Sequence, residues 1–127
     1  MITGIVDTTV IVHYFRDYRI AQAWVDSLPT RLSVVSIIWL EVMQGAGSKA
    51  KEAVCKSILD RFNLVYLTTA DQDWAMQHME RYRLSNGVTT NDALIAAVAY
   101  RLQVPLYTHN LKDMTPMIGT LAVKPYA

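Results

Sequence analysis

The sequence predicts an α/β domain whose mostly parallel sheet is covered by helices on both faces. Three observations lead there. Short apolar runs rich in β-formers recur along the chain, stretches with helical spacing separate them, and turn or capping residues mark the borders. Strand–helix alternation of this kind builds a parallel sheet buried on both sides.

The elements follow in order. Residues 2–7 are mostly β-formers that stop at a polar cluster, and read as a first buried strand. Thr9 to Phe15 is apolar enough for a first helix, and Asp26-Ser27-Leu28-Pro29 closes a second one containing Ala23, Trp24 and Val25. Leu32 to Ser36 is the second strand; from Ile38 the pattern turns helical and stops near Gly45 and Gly47. Lys49 to Phe62 carries Ala50, Val54, Ile58, Leu59 and Phe62 at helical spacing, and Leu64 to Leu67 is a third strand. Thr69 or Asp71 caps a helix through Trp74 and Met79, which Asn86-Gly87 ends as a turn. Thr89 opens a helix from Asp92 to Tyr100, Pro105-Leu106-Tyr107 is a fourth strand, and Leu121-Ala122-Val123 a fifth.

A length of 127 residues suits one domain, residues 1–127. Hydrophobic residues reach 52%, enough for a substantial core, while charged residues at 18% fall short of the usual quarter, so a partner is expected to cover some apolar surface. A net charge of +1 argues against a dedicated basic nucleic-acid binder. The single cysteine, Cys55, excludes an intrachain disulfide and reads as a small buried hydrophobe. There is no signal-peptide pattern and no apolar run near the ~20 residues that cross a bilayer, so the expectation is a cytoplasmic protein with no membrane contact.

Four acids stand where apolar runs give way to hydroxyl or amide side chains: Asp7 after Ile5-Val6, Glu41 after Ile37-Ile38-Trp39-Leu40, Asp92 before Ala93-Leu94-Ile95, and Asp113 in Thr108-His109-Asn110-Leu111-Lys112-Asp113. Buried carboxylates are costly unless paired with cations, and several at one point repel, so a shared divalent metal is the natural resolution. With these four set aside, twelve basic residues face seven acids, a balance compatible with a polyanionic substrate. In a parallel sheet, ligands gather outside the carboxyl ends of the strands. Asp7 ends the first strand, Thr108 to Asp113 follow the fourth, and Glu41 and Asp92 fall in the first turns of helices that would pack over the same edge.

Each acid also has a plainer reading. Asp7 caps the first helix, Thr89 and Asp92 form a capping box, Asp113 favours the positive end of a short helix, and Glu41 faces solvent. The joint pattern favours a site, because the other seven acids sit in polar surroundings such as Asp71-Gln72-Asp73.

These segments resemble the PIN domain family, specifically its small VapC-type toxin ribonucleases. Val6-Asp7-Thr8-Thr9 is similar to the family's opening motif, Glu41-Val42-Met43-Gln44-Gly45 to its Glu-hydrophobic-x-x-Gly helix, Asn91-Asp92-Ala93-Leu94-Ile95-Ala96-Ala97 to its most distinctive segment, and Thr108-His109-Asn110-Leu111-Lys112-Asp113-Met114 to its last. Two departures stand out. Ile38 occupies the place of a common hydroxyl residue, and Asp113-Met114 replaces the usual Asp-Phe, with Asn110 standing where some relatives carry the fourth acid.

The resemblance implies a three-layer α/β/α fold around a mostly parallel sheet of four or five strands. It also implies a metal-dependent endoribonuclease, the toxin of a type II toxin–antitoxin pair. Hard carboxylate oxygens suit Mg²⁺ or Mn²⁺. On this reading Asp7, Asp92 and Asp113 are ligands, directly or through water, and Glu41 ligates through water or helps deprotonate the nucleophile. Thr8 or Thr9, Thr108 and Asn110 hold waters or orient the carboxylates. The family further implies an RNA substrate, a homodimer, and an antitoxin whose tail enters the site.

Arg16, Arg19, Lys49, Lys51, Arg81, Arg83 and Lys112 are candidate phosphate contacts, though solvated surface accounts for most of them. His13, His78 and His109 share no metal-ligand spacing; only His109 lies in a site motif, where it could touch RNA. Trp24, Trp39 and Trp74 fall in helical patterns and read as packing. Ile37, Trp39, Leu40 and Met43 cannot all turn inward from one helix together with Glu41, which invites an interface. Three other readings compete: a catalytically silent PIN-like RNA- or protein-binding module; a Mg-binding receiver-like signalling domain, lacking its acidic pair at Val6-Asp7-Thr8; and a phosphatase of the Asp-x-Asp type, with Thr9 in the third place.

Overall fold

The computed structural model describes residues 1–127. Its elements are β1 (Ile5–Val6), α1 (Thr8–Phe15), α2 (Arg19–Asp26), β2 (Ser33–Val35), α3 (Ser36–Gln44), α4 (Lys49–Leu59), β3 (Asn63–Val65), α5 (Thr69–Asn86), α6 (Thr90–Leu102), β4 (Leu106–Tyr107), α7 (Leu111–Ile118), a 3₁₀ turn (Gly119–Leu121) and β5 (Ala122–Val123). The strands form one five-stranded sheet in the order β3-β2-β1-β4-β5, and every neighbouring pair is parallel. Helices α1 to α4 pack on one another, as do α5 to α7, giving the two outer layers of an α/β/α sandwich.

Strand order decides where the site must lie. The chain moves outward from β1 to β2 and β3, then returns to place β4 on the other side of β1. The helices that follow β1 and β4 therefore diverge, leaving a crevice at the carboxyl ends of these two strands. The central ladder is short but fully used: the Ile5 N–H donates to the Pro105 carbonyl at 2.9 Å, and the Asp7 N–H to that of Tyr107 at 3.0 Å. Ile5, Val6, Val34, Val35 and Leu106 are almost fully buried, the expected state of strands covered on both faces.

Several borders differ from those read off the sequence. The first strand holds only Ile5 and Val6 rather than residues 2–7, because Asp7 already caps α1. The third strand is Asn63–Val65 rather than Leu64 to Leu67. Helix α3 starts at Ser36, two residues before Ile38, because β2 runs into it with no loop. Glu41 consequently stands in the second turn of α3, not the first.

The cap of α5 is Thr68, not Thr69 or Asp71. Its hydroxyl accepts from the Asp71 N–H at 3.1 Å, and the Asp71 carboxylate accepts from the Thr68 N–H at 2.9 Å. Gly87, at φ +70°, ends the helix in the left-handed conformation that glycine adopts without strain.

Asp71 is the main surprise of the fold. Its polar neighbours in sequence suggest a surface acid, yet it is only 1% exposed. Arg101, near the end of α6, donates to both of its carboxylate oxygens at 2.8 and 3.1 Å. Burial alone would raise the Asp71 pKa. The Arg101 hydrogen bonds, with the Thr68 N–H and hydroxyl, outweigh burial and hold it below the ordinary value. The pair ties the start of α5 to the end of α6.

Asp71→Ala removes both a cap and a buried ion-pair partner, and should cost about 3 kcal/mol of unfolding free energy in urea. That is the low end for broken buried pairs, since the Arg101 side chain is one-third exposed and can take up water. A carboxyl held low in the folded state stabilises above its unfolded pKa and loses that contribution as pH falls through the folded value. The difference between wild type and variant should therefore be constant above about pH 4 and shrink below it. A variant as stable as wild type at neutral pH would refute the strut.

Candidate active site

The site grows from four chain segments at the β1/β4 crevice. Asp7 leaves β1 and caps α1: one carboxylate oxygen accepts from the Thr8 N–H at 2.8 Å. Its other oxygen accepts from the Thr108 hydroxyl at 2.7 Å, and the Thr108 oxygen in turn accepts from the Asn110 N–H at 2.9 Å. Thr108 is fully buried where the chain leaves β4, so this relay fixes Asp7 against the loop that carries Asn110. Asp92 lies in the first turn of α6, whose cap Thr89 accepts from the Asp92 N–H at 3.2 Å. The Asn110 amide donates to the Asp92 carboxylate at 3.4 Å. Glu41 enters from α3, which packs against α6.

Together these residues line one open pocket of about 590 Å³, whose walls are Asp7, Thr8, Thr9, Glu41, Thr89, Asn91, Asp92, Ile95, His109 and Asn110. Asp7, Glu41 and Asp92 thus share a single concavity although far apart in sequence. Asp113, in the first turn of α7, is not part of the wall, but its charge raises the pKa of Asp92. Thr108 lies behind the wall rather than in it. Sequence reasoning passed over Asn91 and Thr89 as lining residues; their place beside Asp92 on a helix N-terminus was the available signal.

The electrostatics are those of an overcharged pocket. All three lining carboxyls have raised pKa values. For Asp7 the first cause is burial, offset in part by the Thr108 and Thr8 hydrogen bonds and reinforced by the Asp92 charge. For Glu41 it is again burial, then the charges of Asp7 and Asp92, against the Asn91 and Thr8 side chains. Neither side chain completes a hydrogen bond to Glu41 Oε1, which is buried without a partner. Asp92 is raised by burial and by Asp113, against the Thr89 hydroxyl and N–H. No cation of the chain pairs with any of the three.

An electron-poor ion fits this donor set, which is all hard oxygen with one orphaned carboxylate atom. No three acidic, histidine or cysteine side chains stand close enough to enclose a metal directly. An ion held by one or two carboxylates and its own waters does not need such an enclosure.

Beside the pocket runs a second groove of about 380 Å³, sharing Thr8 and Glu41 with it. Its floor includes Ile11, Phe15 and Val42, and Arg16 and Lys51 stand on its rim. Arg19, Lys49, Arg81, Arg83 and Lys112 are exposed elsewhere. Trp24, Trp39 and Trp74 are half-buried against the core, as packing residues are. Cys55 is buried, and burial pushes its thiol pKa up.

Comparison with known proteins agrees with the fold. The family profile of the PIN domain matches residues 4–112, and the chain belongs to that family. This sets aside the receiver-like and Asp-x-Asp phosphatase readings. Domains of this family are generally nucleases. The structure is similar to a toxin–antitoxin complex from Klebsiella pneumoniae, at 26% identity over 98% of each chain with a TM-score of 0.80. It is also similar to DNA-bound VapBC from Salmonella typhimurium, at 22% identity over 94% of this chain and 95% of that one with a TM-score of 0.79. A third similarity is to VapBC-1 from nontypeable Haemophilus influenzae, at 24% identity over 97% of each chain with a TM-score of 0.74. No curated relative matches the chain. No helix is long and apolar enough to cross a membrane.

Carboxyls with raised folded-state pKa values give stability that is fully present below their unfolded values and lost as pH rises through the folded ones. In EDTA, the melting temperature should therefore fall as pH is raised from about 4 towards neutrality. Asp7→Asn keeps a good helix cap and removes one charge. It should melt at or above wild type at neutral pH, with a flatter pH profile. A metal-free wild type that loses no stability relative to Asp7→Asn between about pH 4 and neutrality would contradict this charge balance.

Proposed function

We propose that this chain is a VapC-type toxin, a divalent-metal-dependent endoribonuclease that hydrolyses RNA phosphodiester bonds. The observation that carries the reading is the gathering of Asp7, Glu41 and Asp92 into one pocket at the β1/β4 crevice. The similarity to toxin–antitoxin complexes supports the toxin role and, with it, a cognate antitoxin partner.

In this reading Asp7 and Asp92 are the principal ligands of Mg²⁺ or Mn²⁺, and Asp113 contributes through water or through its field on Asp92. Asn110, which donates to Asp92, takes the place nearest the pocket wall. A bound ion would supply a water of lowered pKa and stabilise charge on the departing oxygen. Glu41, with its free Oε1, accepts the proton of the attacking water, for which a carboxyl of raised pKa is suited. Thr108 holds Asp7 in its ligating orientation, and Thr8 and Thr9, which line the pocket, would order water there.

The partners follow from the surface. Arg16 and Lys51 flank the adjoining groove and suit either RNA phosphates or the acidic end of an inhibiting segment. Leu40, 57% exposed on α3, and half-buried Ile37, Trp39 and Met43 leave the apolar face expected of a homodimer. A soluble enzyme of this kind would act in the cytoplasm, where its RNA substrate is.

The direct test is incubation of the purified protein with a mixed RNA pool in Mg²⁺ or Mn²⁺, and in EDTA. Cleavage should occur with metal and stop with chelator. Thr108→Val should lower activity about 10- to 100-fold, and Asp7→Asn and Asp92→Asn by more. Intact RNA under every metal condition would leave a silent binding module as the answer. Metal should also raise the melting temperature of wild type more than that of Asp7→Asn. Light scattering on the isolated chain tests the dimer, and a strict monomer would remove it.

A further inference from the structure

A cluster of aromatic rings links the chain's last residues to the candidate site. Tyr126 packs its ring 4.6 Å from that of His109 and 5.8 Å from that of His13, and the two histidine rings lie 5.1 Å apart. The Tyr126 hydroxyl is hydrogen-bonded to His13 Nδ1 at 2.7 Å. Burial, then Tyr18, push its pKa up to about 12, so it keeps its proton at any working pH. Tyr18 donates to the Ala127 carbonyl at 2.9 Å, and Trp24 packs 5.9 Å from Tyr126. One side of His109 is thus held by a built aromatic wall. His109 is also among the residues that line the pocket of Asp7, Glu41 and Asp92.

His109 Nε2 is buried and has no hydrogen-bond partner. A buried polar nitrogen left unpaired is unfavourable, and a partner supplied by a ligand removes that cost. Asp7 and Asp92 across the pocket already accept from Thr8, Thr108 and Asn110, and Glu41 makes no hydrogen bond to His109. Burial first, then the charges of His13 and Lys124, lower the His109 pKa and favour the neutral ring. A neutral imidazole offers either a donor or an acceptor at Nε2 according to tautomer. A phosphate oxygen satisfies only the first, whereas a hydroxyl satisfies both. The ribose 2′-hydroxyl is also the group by which a protein tells RNA from DNA.

We infer that His109 contacts the substrate directly, through a hydrogen bond between Nε2 and the 2′-hydroxyl of a nucleotide beside the cut, and that Tyr126 is the positioning residue that holds its ring. This rests on the nuclease reading above and assigns that site its discrimination of RNA from DNA.

The test compares wild type, His109→Ala, Tyr126→Ala and Tyr126→Phe on an RNA oligonucleotide and on copies with a single 2′-deoxy nucleotide on either side of the cut. Cleavage with Mn²⁺ gives KM and kcat; fluorescence anisotropy on the metal-free proteins gives affinity, and melting checks the fold. His109→Ala should raise KM about three- to tenfold, the size of one hydrogen bond. One 2′-deoxy position should cost wild type the same factor and cost His109→Ala nothing. Tyr126→Ala should reproduce that loss, and Tyr126→Phe, which keeps the packed ring, should restore most of it. Equal 2′-deoxy penalties in wild type and His109→Ala would overturn the contact. A full wild-type penalty in Tyr126→Ala would overturn the positioning role. If wild type cleaves no RNA, the nuclease reading fails by itself, and anisotropy still decides: weaker RNA binding by His109→Ala supports the contact, and equal binding refutes it.

Discussion

Folding brings Asp7, Asp92 and Glu41 to one concavity, and their mutual repulsion, added to burial, is the constraint to which the rest of the crevice answers. Asp7 is the most confined of the three, and both of its carboxylate oxygens are committed: one to a helix N–H and the other to the Thr108 hydroxyl. These bonds lessen the cost without supplying a countercharge. Glu41 has less help, with one oxygen buried and unpaired. Holding charges this close costs stability, a cost that is common where a site requires it.

The scaffold that tolerates this strain is concentrated elsewhere. The Asp71–Arg101 pair and the Thr68 box fasten α5 to α6, and α6 runs through the core to deliver Asp92 at its N-terminus. A carboxylate in that place also benefits from the helix dipole. Asp92 is therefore braced on a pair of helices fastened by satisfied polar groups, while the sheet contributes strands of only two or three residues. Those strands fix direction and register; packing of the helical layers provides most of the rigidity.

Much of this was legible in the sequence. Alternation of short apolar runs with helical spacing gave the order of the elements, and apolar flanks around Asp7, Glu41 and Asp92 marked them as acids at the border of a core. What local pattern could not reveal was pairing across the fold. Asp71 reads as a surface acid because its neighbours Gln72 and Asp73 are polar, and its burial follows from an arginine thirty residues away. Tyr126 and His13 meet across 113 positions, a contact that no motif announces. Borders slipped for a related reason: β2 passes into α3 without any turn residue, so Ser36 and Ile37 carry no punctuation.

Helix α6 has a consequence of its own. Ala93, Ile95, Ala96, Ala97, Val98 and Ala99 are almost wholly enclosed, so successive residues on nearly every side of the helix touch protein. Alanines at such positions let neighbouring backbones approach closely, and there is no free rim into which a bulkier side chain could turn. Enlarging any of them would shift the whole rod along or across its bed, carrying its first turn with it. Core volume and the placement of Asp92 are thereby one variable: this interior cannot be repacked without re-aiming the acid that it presents.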